Sequence, residues 1–191
     1  MRCTSISILI LILLFSIKLS GQQYDFVKIL PGIGIVYNND SIILQKTTIK
    51  ELYRTLKIKK KSNPNEIRMI LWDGYDSETF EPKSGIEFMR KVKFKTIEFE
   101  FTSETDKNNL KLKQIKIKGD KNLKIYTDNG LMIGMYNPQI KETYPLIGKR
   151  DYISEDSLTY NLYNYGISFQ LEKLDFNSLR LIEISTHLIY K

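Results

Sequence analysis

Stretches in which every second residue is apolar dominate this chain. In TIEFEFT, Ile97, Phe99 and Phe101 alternate with glutamates, and Ile86 and Phe88 alternate just before them. A period of two marks a half-buried strand. Residues 24–30, 33–37 and 42–44 read as strands, with Pro31-Gly32 ending the first and Asn38-Asn39-Asp40 turning the second into a hairpin. Residues 67–72 form a short apolar run, and Leu112, Ile115 and Ile117 mark another. Residues 158–163, 167–171 and 179–186 close the series, with turns at Gly119-Asp120-Lys121-Asn122 and Asp128-Asn129-Gly130.

Two segments change period. In IKELYRTL, Ile49, Leu52 and Leu56 share a helical face, and Thr48 with Glu51 three residues later makes a capping box. The spacing predicts a helix over residues 48–58. A second helix is predicted over residues 137–147, with Asn137 as cap and Pro138 in the first helical position. Pro145 ends it near Tyr144 or kinks it there.

The chain also echoes itself. GIEF at residues 85–88 returns as GISF at 166–169, and LKQIKI from Leu112 returns as LRLIEI from Leu179. The order helix, strand, Gly-Ile-x-Phe strand, Leu-x-x-Ile-x-Ile strand thus occurs twice, the first copy lengthened by FEFTSETDKNN. Duplicated units can pack around one shared core. The expected fold is α+β, with two related units, each a helix packed on a mainly antiparallel sheet. The first unit spans residues 22–122, including the N-terminal hairpin, and the second spans 123–191. The TTIKEL helix start and the later alternating strands resemble the tandem units of beta-lactamase inhibitor proteins. They also resemble the single units of small outer-membrane assembly lipoproteins of the SmpA/OmlA type. That resemblance implies a binding scaffold and carries no functional residue across. The chain departs from the lipoproteins in lacking a cysteine at the lipidation position.

The first residues bear on location. Met1-Arg2, an apolar core over residues 6–17, small Ser20-Gly21 and polar Gln22-Gln23 have the layout of a secretory signal peptide. The core is shorter than the roughly 20 apolar residues a spanning helix needs. Residues 1–21 are therefore expected to be removed, leaving an exported protein, periplasmic or extracellular, with no stable membrane anchor. Cys3, the one cysteine, would leave too, so no disulfide is expected. Loss of Arg2 and Lys18 takes the net charge from +7 to +5. A basic balance points toward polyanions. Here, however, Lys accompanies Ile, Asn, Tyr and Phe, all with A/T-rich codons, and the lysines are scattered. The exception is Lys57, Lys59, Lys60 and Lys61, placed at and just after the end of the first helix, where its dipole favours cations. No nucleic-acid partner is expected.

Candidate chemistry is sparse. His187 is the single histidine, at the end of the last strand, and reads as an incidental surface residue because no G-x-S-x-G elbow accompanies it. Zinc-type ligand sets are missing. The acidic stretch 73–78 lacks the D-x-D-x-D-G order of a calcium loop and reads as a polar loop. PGIGI lacks the lysine and helix of a phosphate loop. FMRKVKFK reads as a half-buried strand before it reads as a stacking surface. No cofactor and no metal are expected, and nothing selects a catalytic pair from the 22 acidic residues. One surface stands out. In LTYNLYNYG, Leu158, Tyr160 and Leu162 share one face, and Thr159, Asn161, Tyr163 and Tyr165 the other. Asn161, Tyr163 and Tyr165 are then exposed residues of the kind protein interfaces use. The expected function is non-catalytic binding through protein–protein contact. The rivals are a carboxylate-dependent envelope hydrolase and an envelope module that binds polyanionic glycan or lipid.

Overall fold

The computed structural model describes residues 24–59, 66–75, 82–144, 152–153, 156–174 and 178–189. The signal-like segment, Lys60, Lys61, residues 76–78 and the Pro145 region lie outside them. Chain order is β1 (Asp25–Leu30), β2 (Gly34–Tyr37), β3 (Asp40–Ile43), α1 (Ile49–Thr55), β4 (Arg68–Tyr75), β5 (Pro82–Phe94), β6 (Ile97–Ser103) and β7 (Lys111–Lys118). Then follow β8 (Leu123–Thr127), α2 (Asn137–Thr143), β9 (Tyr152–Ile153), β10 (Ser157–Leu162), a 3₁₀ turn (Tyr163–Tyr165), β11 (Ile167–Lys173) and β12 (Leu179–His187). A small sheet has the order β3-β2-β1-β8, and a large one β4-β5-β6-β7-β12-β11-β10-β9. The large sheet is antiparallel throughout, while β8 joins β1 in parallel.

The period-two residues become the core. Val27, Ile29, Ile35 and Ile42 of the small sheet and Phe99, Phe101, Ile117, Phe169 and Ile184 of the large one are fully buried in a single cluster. Glutamates and lysines take the other face, where Lys91 pairs with Glu98 at 2.9 Å and Lys118 with Glu183 at 3.8 Å. The lysine ends of these pairs are open to solvent, so the pairs contribute little. Asn38 and Asn39 both have positive φ, 45° and 80°, as a two-residue hairpin turn with the strands' own twist requires.

Both helices form where expected but are shorter. Thr48 and Glu51 cap α1 reciprocally. The helix ends at Thr55 because Lys57 turns left-handed at φ 52°, letting Lys57 and Ile58 donate back to the Arg54 and Tyr53 carbonyls. In α2 the cap is Tyr136, whose N–H donates to the Gln139 side chain at 2.9 Å, and Asn137 is already helical.

The expected α+β fold of two helix-on-sheet units is not what forms. The described chain is mostly strand, its two helices are seven residues each, and strands from the two halves interleave. β12 pairs with β7, and β8 with β1. The echoes have a different origin. β6 lies between β5 and β7, so β5 runs parallel to β7, whereas β11 is the direct antiparallel neighbour of β12. The two Gly-Ile-x-Phe strands therefore lie in different settings, with Ile167 and Phe169 fully buried but Ile86 exposed and Phe88 half-buried.

Leu-x-x-Ile is the trace of a β-bulge. Register shifts at Glu100/Phe101 and Gln170/Leu171 leave Lys113 and Ile182 as the extra residues. An extra residue resets the inward face, so Leu112 and Ile115 are both buried, as are Leu181 and Ile184. The structural correspondence thus lies two residues beyond the Leu112–Leu179 match in the sequence.

Candidate functional site

The turn singled out in the sequence sits at one end of the large sheet. Leu158 and Tyr160 face the core and are buried, and Asn161 on the opposite face pairs across to Ser168. Tyr163 and Tyr165 do not continue the strand. They occupy the 3₁₀ turn, 53% and 41% exposed, and Gly166 at φ 65° closes it. The Tyr163 ring lies 5.6 Å from the His187 ring, and Tyr165 meets Tyr144 edge-on at 6.4 Å.

His187 is buried, which corrects its reading as a surface residue. Its Nε2 is 3.0 Å from Ser168 Oγ and its Nδ1 is 3.0 Å from the Leu188 carbonyl. A carbonyl only accepts, so Nδ1 carries a proton, and in the neutral ring Nε2 then accepts from the Ser168 hydroxyl. Sequence spacing had no means of showing this pair, since the residues are 19 apart and meet across β11 and β12. The arrangement has the orientation of a nucleophile and its base. Ser168, however, lies between β10 and β12, where the backbone N–H groups of β11 serve the two ladders and do not form an oxyanion site. The pair is a tether in a stitched corner. There the Gly166 carbonyl accepts from Gly32 and His187 N–H groups, both at 3.0 Å, and a Cβ on Gly166 would lie 2.4 Å from Gly32 Cα.

The outer face of the small sheet carries a second feature. Tyr24, Phe26 and Tyr126 flank an open groove of about 580 Å³, and the Lys124 ammonium lies 4.9 Å from the Tyr24 ring and 5.6 Å from Phe26. At its rim Asp25 binds Lys95 and Asn38, and these bonds, led by that from Lys95, hold its carboxyl below the usual range. A groove of about 450 Å³ on the large sheet is flanked by Lys93, Lys116 and Lys118 but also by Glu98 and Glu183. Burial there pushes the Glu98 carboxyl up, yet Lys91 hydrogen bonding and the Lys91, Lys93 and Lys116 charges outweigh it and hold Glu98 low. Of the four lysines that flank this groove, Lys93 pairs with Glu98 at 3.6 Å, Lys118 with Glu183 at 3.8 Å and Lys95 with Asp25.

The third feature is at the other end of the large sheet. Among the described residues β4 is its terminal strand, paired on one side with β5. Met69 lies opposite Phe88, and Leu71 opposite Ile86, on the face that further along β5 carries buried Val92. The apolar face continues past its cover: Met69 is 61% exposed, Leu71 74% and Ile86 43%. On the reverse face the Trp72 ring lies across Gly85, where an added Cβ would sit 2.7 Å from it. The alternation of Ile86 and Phe88 had suggested a half-buried strand, and residues 67–72 had read only as a short apolar run. Period two shows which face is apolar and carries no information on where the covering layer stops.

Among the described residues, no group of three or more His, Cys, Asp or Glu is placed to hold a metal ion. No helix among them is long and apolar enough to cross a membrane. No protein-family model, no curated protein and no solved structure matches the chain.

Proposed function

We propose that this chain is an exported, non-catalytic binding protein that acts through protein–protein contact. One observation carries the reading, namely the strip of Met69, Leu71 and Ile86 beside the open edge of β4. Contiguous exposed apolar side chains mark interaction sites, and an edge strand offers unpaired backbone groups to an added strand. Covering Met69 and Leu71 is worth about 3 kcal/mol at ordinary transfer values. Backbone hydrogen bonds to β4 add direction and register. The turn with Tyr163 and Tyr165, beside Asn161, is a separate candidate for such contact because both tyrosines are exposed.

The experiment is to determine the native size of the tagged protein in cell-envelope extracts. Wild type should migrate in an assembly larger than one chain. Leu71→Lys should migrate as a single chain and still be folded, with a wild-type circular-dichroism spectrum. A wild-type protein that is monomeric in the extract would sink the proposal. So would a hydrolytic activity of the purified protein that Ser168→Ala abolishes.

A further inference from the structure

We propose that the partner on β4 is β4 of a second copy, the two strands running antiparallel about a two-fold axis through Ile70. This rests on the protein-contact reading above and names its partner. A two-fold axis perpendicular to the sheet keeps like faces together, so paired residues must both be odd or both be even. With Ile70 opposite itself, Met69 of each copy faces Leu71 of the other. The two exposed apolar rows then close into one, flanked by Ile86 on each side.

On the reverse face the same register sets Arg68 opposite Trp72 of the second copy. The Arg68 side chain is 73% exposed and its ion pair with Glu66 is long, 3.8 Å, so it is available to lie over an indole face. Neighbouring registers fit less well. Centring on Leu71 sets Met69 against the Asp73 carboxylate. Centring on Met69 sets Glu66 against Trp72 and leaves Arg68 facing Ile70. The edge asks for a strand with apolar residues at alternate positions on one face and a cation four residues from an aromatic on the other. β4 is itself that strand. Pairing β4 with β4 is isologous and closed, so it removes this open edge from both copies at once.

Sedimentation of the purified protein tests the proposal. Wild type should show a monomer–dimer equilibrium. Leu71→Lys should weaken the dimer by at least about 30-fold, the effect of losing a hot-spot side chain. A second variant reads the register. In a Cys3→Ser background, Ile70→Cys should give a covalent dimer under a mild oxidant such as copper phenanthroline. Residues directly opposite in an antiparallel pair have Cα atoms about 4.5–5.5 Å apart, within disulfide reach. A wild-type monomer at high micromolar concentration with no cross-link overturns the proposal. A monomer whose Met69 is shielded from peroxide overturns it too, by showing that another segment of the chain covers β4. If the purified protein is monomeric but its assembly in envelope extract still depends on Leu71, the protein-contact reading survives with a different occupant. If Leu71→Lys changes neither, both fail.

Discussion

Replacing Phe169 and Phe88 separately by alanine should give unequal losses of stability. Phe169 is fully buried, lies opposite Tyr160 on β10 and Ile184 on β12, and packs on Tyr144 at a ring distance of 5.1 Å. Its removal leaves a cavity walled by two ladders and α2, which have little room to collapse. Such sites cost about 3–5 kcal/mol. Phe88 belongs to the same Gly-Ile-x-Phe motif but is half-buried beside exposed Met69. Water fills the vacated space, so the loss is part of the transfer energy, about 1 kcal/mol. Urea titration with matched slopes measures both. At about 2–4 °C per kcal/mol for a chain of this size, Phe169→Ala should lower the thermal midpoint by roughly 10 °C and Phe88→Ala by a few degrees. Equal losses would refute the burial difference and with it the non-equivalence of β5 and β11.

Gly166→Ala should cost at least about 2 kcal/mol, because φ is 65° and the new Cβ would meet backbone at Gly32 and His187. Gly130→Ala, at φ 80° with open space around it, should cost about 1 kcal/mol in the same chemical melts. Asp25 has its pKa lowered by Lys95, so its contribution is present above the unfolded value, near 3.9, and fades as pH falls through the lower folded value. Asp25→Asn should therefore be at most about 1 kcal/mol less stable than wild type at pH 7, less so in high salt, and converge with it once the pH has fallen through that lowered folded value.

What the sequence disclosed was local. The capping box of Thr48 and Glu51, the Asn38-Asn39 turn and the inward rows Ile97-Phe99-Phe101 and Leu158-Tyr160 each depend on residues a few positions apart. What it hid was non-local. Nothing in DFVKIL or LKIYT announces that β1 and β8 run side by side in parallel, and nothing in FEFTSET says that β6 separates β5 from β7. The Leu112–Leu179 echo did not mark equivalent positions: the two bulges that resemble each other match Leu112 with Leu181 instead. Tyr163 and Tyr165 left the period because a 3₁₀ turn intervenes, though they stayed exposed. Ser168 and His187 became partners through pairing of β11 with β12, and the exposure of Leu71 depends on how far the small sheet and helices extend.

Amide hydrogen exchange along β4 tests the central claim most directly. Half of the N–H groups of Arg68–Tyr75 point toward β5 and half toward the open edge. If a protein strand covers that edge, the outward amides of the assembled wild-type protein should be protected about as well as those facing β5, and Leu71→Lys should strip protection from the outward set alone. Outward amides that exchange freely in the assembled wild-type protein would contradict it.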